Sequence, residues 1–92
     1  MIDADVIPEI PRGVRVHRDT VRNLWVLLAP ERVLPLDDTG QAILDRVDGT
    51  SSFGQIVTGL AEAYAAPRDQ IAADASEFLT SLQARRVLDL KS

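Results

Sequence analysis

Cysteine is absent from the sequence, and histidine, tryptophan, tyrosine and methionine each occur once. Without cysteine there is no disulfide staple and no thiolate metal site, so a reducing compartment suits the chain as well as any other. With His17 as the only imidazole, neither a Ser-His-Asp nor a Cys-His set can be assembled with support. His17 alternates outward on an expected strand and reads as a surface residue. A metal site would rest on carboxylates with at most one histidine. The adjacent pair Asp37 and Asp38 suits helix capping better than chelation. Glycines are few and scattered (Gly13, Gly40, Gly49, Gly54, Gly59) and match no phosphate-cradling loop. No apolar run approaches the roughly 18 residues of a membrane span. Met1 to Pro11 carries Asp3, Asp5 and Glu9 without a basic stretch before an apolar block, so no secretory signal is expected and the cytoplasm is the default location. An enzyme is therefore the weaker hypothesis, and no cofactor is expected.

What is present is ordinary for one globular domain: 92 residues, 46% hydrophobic and 26% charged. A chain of this size buries roughly two-thirds of its unfolded surface, which leaves a thin stability margin. The net charge of −4 argues against a nucleic-acid binder, which needs clustered Lys and Arg to meet phosphates. The charge is uneven. Residues 12–32 hold five arginines against Asp19 and Glu31, whereas residues 33–92 hold five basic and nine acidic side chains. Two readings of that asymmetry are open, a solvated surface and an electrostatically steered partner surface.

Residues 1–11 contain Pro8 and Pro11 and read as an extended N-terminal arm, set apart from a domain spanning residues 12–92. Val14 and Val16 alternate with Arg15 and His17, the period of a half-buried strand. Leu24 to Leu28 is apolar on both faces, a second strand. Arg32 to Leu36 reads as a third, and Pro35 assigns it to a sheet edge because proline cannot donate to a ladder. After Leu36 the period becomes helical. Asp38 with Gln41 resembles a capping box ahead of Ile43, Leu44 and Val47, and Asp48-Gly49 ends that helix. Ser52 with Gln55 opens a second helix with the stripe Phe53, Ile56, Val57, Leu60 and Tyr64. Pro67 fits the first position of a third, whose stripe is Ile71, Ala75, Phe78, Leu79 and Leu82. Val87 to Leu90 is a short apolar tail.

The expected fold is α+β and winged helix-turn-helix-like, a three-stranded antiparallel sheet followed by three helices that cover one face. That outline raises a winged-helix DNA-binding regulator as a rival. The third helix carries Asp69, Asp74 and Glu77 against Arg68, the wrong sign for a groove between phosphates. The exposed third strand offers another use. Either its edge is protected and its side chains are core, or an extended peptide completes the sheet there, with Phe78 and Leu82 of the third helix as pocket residues. Trp25 and Leu27 lie on the opposite sheet face from Leu24, Val26 and Leu28. One set packs under the helices. The other is either covered by the N-terminal arm or free for a partner. Arg15, Arg18, Trp25 and Leu27 are accordingly partner-surface candidates.

Pro11-Arg12-Gly13-Val14-Arg15, then Trp25-Val26-Leu27-Leu28-Ala29-Pro30-Glu31-Arg32-Val33, Leu36-Asp37, Ala42-Ile43-Leu44 and Asp48-Gly49 together form an ordered set. Ile56-Val57, Leu60-Ala61, Tyr64, Ala66-Pro67, Asp74, Phe78-Leu79 and Leu82 continue it. The set resembles the pyrroloquinoline quinone (PQQ) biosynthesis protein D (PqqD) family from Pro11 to Leu90. The resemblance implies a non-catalytic peptide chaperone, built on the recognition element shared by ribosomally made, modified peptides. It implies binding of the precursor peptide PqqA and delivery to the radical S-adenosylmethionine (SAM) enzyme PqqE, which joins a glutamate and a tyrosine of the precursor. By position, it implies a leader strand held by Arg32, Val33, Leu34 and Leu36 on one side and by Ala75, Phe78, Leu79 and Leu82 on the other. If the Pro35 nitrogen faces the edge, the guest loses one donor there. The expected state is a monomer or weak homodimer without nucleic acid or membrane. A recognition module for a different modified peptide remains an alternative.

Overall fold

The computed structural model describes residues 1–91. In chain order the elements are β1 (Ile7–Glu9), β2 (Arg15–Asp19), β3 (Leu24–Ala29), β4 (Arg32–Leu36), α1 (Asp38–Asp45), α2 (Phe53–Tyr64), α3 (Arg68–Ala84) and β5 (Asp89–Lys91). Strands β2, β3 and β4 form an antiparallel sheet in that spatial order, and the three helices follow it, as the sequence pattern predicts. A second, two-stranded sheet pairs β1 with β5 in antiparallel register, Pro8 opposite Leu90. The sequence gives no sign of this pairing. It is closed by Lys91 Nζ, 2.5 Å from Glu9 Oε1. Among the described residues no helix is long and apolar enough to cross a membrane.

Local chemistry accounts for the helix boundaries. Asp37, not Asp38, caps α1: its carboxylate accepts from the Gly40 amide at 2.7 Å. Such a cap stabilises a helix by about 1 kcal/mol. Helix α1 stops at Asp45, ahead of Asp48-Gly49. There the Asp48 carboxylate instead ties the next loop, accepting from the amides of Ser51 at 2.7 Å and Thr50 at 2.9 Å. The Ser52–Gln55 capping box is present, with the Ser52 amide donating to Gln55 Oε1 at 2.8 Å and the Gln55 amide to Ser52 Oγ at 3.2 Å. Pro67 is the residue flanking α3 rather than its first helical position.

The core lies between the helices and one face of the sheet. Leu27 and Leu36 meet Ile43, Leu44, Ile56, Leu60, Leu79 and Leu82 there, with Val16, Trp25 and Leu34 packed at its margin. Residues 1–11 join this layer. The amides of Phe53 and Gly54, which have no partner inside α2, donate to Val6 and Ala4 carbonyls at 2.7 and 2.9 Å. Gly54 allows the approach, since a Cβ there would lie 3.1 Å from that of Ala4. Ile2 is buried in the same core. The arm thus packs against the helices. Tyr64, expected on the buried stripe of α2, is 62% exposed.

Candidate functional site

The spatial order β2-β3-β4 leaves one side of β4 without a strand. Its hydrogen-bonding parity follows from the turn. Pro30 and Glu31 form a two-residue loop, so the closing pair Ala29 and Arg32 exchanges both main-chain bonds. Alternation then turns the main-chain groups of Arg32, Leu34 and Leu36 towards β3. Those of Val33 and Pro35 point to the open side. The Pro35 nitrogen therefore faces the edge, where its missing N–H breaks no ladder bond of the protein's own sheet. Within β4 the edge offers one donor, the Val33 amide, and two acceptors, the carbonyls of Val33 and Pro35.

Helix α3 runs beside this edge in the opposite direction. At one end Arg32 Nη1 donates to the Arg85 carbonyl at 3.4 Å. At the other, Pro35, Leu36, Asp37 and Phe78 line a cleft of about 440 Å³. Phe78 is half-buried and held against the start of α1: a Cβ on Gly40 would sit 3.0 Å from its ring. The cleft thus has an aromatic wall, an apolar floor at Leu36 and a polar main-chain rim. It has no nucleophile–base pair, and among the described residues no group of three His, Asp or Glu side chains could hold a metal. The arrangement can bind an extended chain but offers nothing to transform it.

Only part of the expected peptide site meets in this cleft. Arg32 and Val33 are exposed, Val33 by 52%, while Leu34 and Phe78 are half-buried beside the edge. Leu36 is buried but reaches the cleft floor. Ala75, Leu79 and Leu82 are 0, 0 and 4% exposed and pack in the core, and Ala75 also lines a cavity among the three helices. The stripe of α3 points inward, and only its flank at Phe78 reaches the cleft. Ser81, three residues on, lines the neighbouring cavity, and Arg85, seven on, meets Arg32. Helical spacing from Phe78 could have found both. Asp37 and Gly40 were missed as site residues, having no signal beyond the helix start.

The partner-surface candidates separate. Leu27 is 1% exposed in the core and is withdrawn as a contact residue. Trp25 is on the same helix-facing side, half-buried at the sheet margin, with the Arg18 guanidinium 5.6 Å from its ring centroid. Arg15 pairs with Leu28 on the outer face and is exposed. Leu24, Val26 and Leu28 share that outer face.

Comparison with known proteins converges on one family. The family model described as "Coenzyme PQQ synthesis protein D (PqqD)" matches residues 25–88. A "PqqA binding protein" of Xanthomonas campestris pv. campestris (strain 8004) is 43% identical over 89 residues, 97% of each chain. Another of that name, from Rhizobium meliloti (strain 1021), is 39% identical over 90 residues, covering 98% of this chain and 92% of the relative. Among solved structures, the solution structure of the PqqD truncation of Methylobacterium extorquens PqqCD is similar. It is described as a stand-alone recognition element for ribosomally synthesized and post-translationally modified peptides. It superposes with a TM-score of 0.79 at 46% identity, covering 90% of this chain and 88% of that one. The crystal structure of PqqD from Xanthomonas campestris gives 0.61 at 42% identity, over 97% and 99%.

Proposed function

From the premise that this chain belongs to the PqqD family, we propose that it is a recognition element for PqqA, captured by strand addition at the open side of β4 and passed on to PqqE. The chain is a binding module and not an enzyme. The observation that carries the reading is the outward main-chain rim of Val33 and Pro35 beside the Phe78 cleft. A guest strand satisfies those groups with its own backbone, which gives affinity. Its alternate side chains enter the cleft, which gives selectivity. Arg32, Val33, Leu34, Leu36 and Phe78 are the contacts in this proposal. Arg15, Arg18 and Trp25 are left for contact with the enzyme.

The geometry limits what the guest can gain. Pro35 supplies an acceptor without a donor, so the guest forms fewer bonds here than along an unbroken edge. Selection therefore falls on the side chains that meet Phe78 and Leu34. Titrating the 15N-labelled chain with synthetic PqqA tests the reading. Amide shifts should concentrate on residues 32–36 and near Phe78. Shifts confined to the outer face, around Arg15 and Leu28, would overturn it. A second titration with PqqE should then move a separate set of amides.

A further inference from the structure

The cleft does not end at Phe78. Asp37 and Phe78 also line a neighbouring depression of about 350 Å³, which shares Thr39, Ile43 and Asp74 with a third cavity. That last cavity, about 330 Å³, is set among α1, α2 and α3, with Ile43, Leu60, Tyr64 and Ile71 as walls and Asp38 and Asp74 beside them. A series of adjoining depressions therefore leads from the β4 edge onto the helical layer. Its character changes along the way. It begins at Pro35 and Leu36, passes the apolar Phe78, and continues between Asp37, Asp74 and Glu77. Among the described residues no ion pair engages Asp38, Asp74 or Glu77. Among the described residues Asp74 is met only by the neutral Gln70 amide, at 3.1 Å.

Resting on the strand-addition reading above, we propose that the α1–α2–α3 cavity is a second anchor site for the same guest peptide. It would take an apolar side chain flanked by a basic residue. Ile71 lies about two turns of α3 before Phe78, about 10 Å along the helix. An extended chain at about 3.3 Å per residue crosses that distance in about three residues. Because only alternate side chains of the guest face the helix, the anchor is the guest residue about two or four positions beyond the one facing Phe78, on the side past Leu36. The walls suit an aliphatic or aromatic group, because a cavity with few polar atoms returns little to a polar one. The carboxylates along the approach favour a cation beside it and repel an acidic neighbour. Two separated anchors on a short peptide also fix its register, which an edge interrupted by proline fixes weakly on its own.

Titration of the 15N-labelled chain with synthetic PqqA, followed by affinity measurements on two variants, tests the second anchor. Ala42→Leu narrows the cavity and Tyr64→Ala removes an exposed wall, so one of the pair reports even if the other perturbs folding. The expected result is that the amides of Tyr64 and Ile71 shift together with those of residues 32–36. Each variant should then weaken binding by about tenfold, the scale of one partly buried apolar side chain, while edge shifts persist. Edge shifts without movement at Tyr64 and Ile71, with both variants binding as the parent does, would overturn the second anchor and leave the strand-addition reading standing. Absence of edge shifts would remove both.

Discussion

The backbone amide of Ile2 donates to the hydroxyl of Ser76 at 2.9 Å, joining the start of the chain to the middle of α3 across 74 positions. Ser76 is only 6% exposed, a hydroxyl inside an otherwise apolar layer, and this bond gives it a partner. Removing it leaves a buried N–H unpaired, which costs about 1–3 kcal/mol. Ser76→Ala should therefore lower the melting temperature by several degrees, since about 1 kcal/mol corresponds to roughly 4–8 °C in a domain of this size. Hydrogen exchange at Ile2 should accelerate, with peptide affinity unchanged. A melting temperature equal to the parent's would show that the arm is not held by this bond.

Asp48 sits in the loop before α2, its carboxylate held well below its ordinary pKa of 3.8. The amide of Ser51 is the main cause, then that of Thr50, then both hydroxyls. A carboxyl whose folded pKa is depressed stabilises the fold above its unfolded value and loses that contribution as pH falls through the folded one. The parent should be more stable than Asp48→Ala at pH 7, and the gap should shrink steadily below about pH 4. Paired denaturant melts at pH 7 and pH 3 measure it. A gap independent of pH would assign the effect to loop packing instead of the charge.

These two contacts also show where sequence patterning works and where it stops. The Ser52–Gln55 box and the alternation of Val14 to His17 are legible because each is decided within four or five residues. The β1–β5 pair is not. Two three-residue strands some 80 positions apart, one containing Pro8, carry no period to detect. Strand β3 is apolar on both faces, so alternation separates Leu27 from Val26 but cannot say which side meets the helices. The stripe of α3 has a related ambiguity. Ala75, Phe78, Leu79 and Leu82 share one broad face, and only the packing of α3 in the fold separates the three in the core from Phe78 at the cleft.

Gly40 fixes where Phe78 stands. Alanine at this helical position would gain about 1 kcal/mol of helix propensity over glycine. Its methyl group, however, would meet the Phe78 ring at 3.0 Å. The ring has open cleft on its other side and can swing into it. The expected outcome of Gly40→Ala is thus little net change in stability but several-fold weaker PqqA binding, because the displaced ring occupies guest space. Denaturant melts and fluorescence anisotropy with labelled PqqA separate the two. Equal affinity would show that the ring position is immaterial to the guest.

Val33 offers the sharpest test of the edge. Its amide is the one donor that β4 turns outward, and its side chain is 52% exposed. Proline at this position removes that donor while leaving the β3–β4 ladder intact, since the ladder bonds belong to Arg32, Leu34 and Leu36. If the guest adds as a strand, Val33→Pro loses a main-chain bond and the guest carbonyl opposite it goes unpaired. That corresponds to roughly 1–2 kcal/mol, a loss of about 5- to 30-fold in affinity. Val33→Thr keeps the amide and the branched shape and should bind nearly as the parent does. Isothermal titration with PqqA compares the three proteins, and far-ultraviolet circular dichroism verifies that each is folded. Strong binding by a folded Val33→Pro variant would mean that the peptide is held by side chains alone, with β4 a bystander.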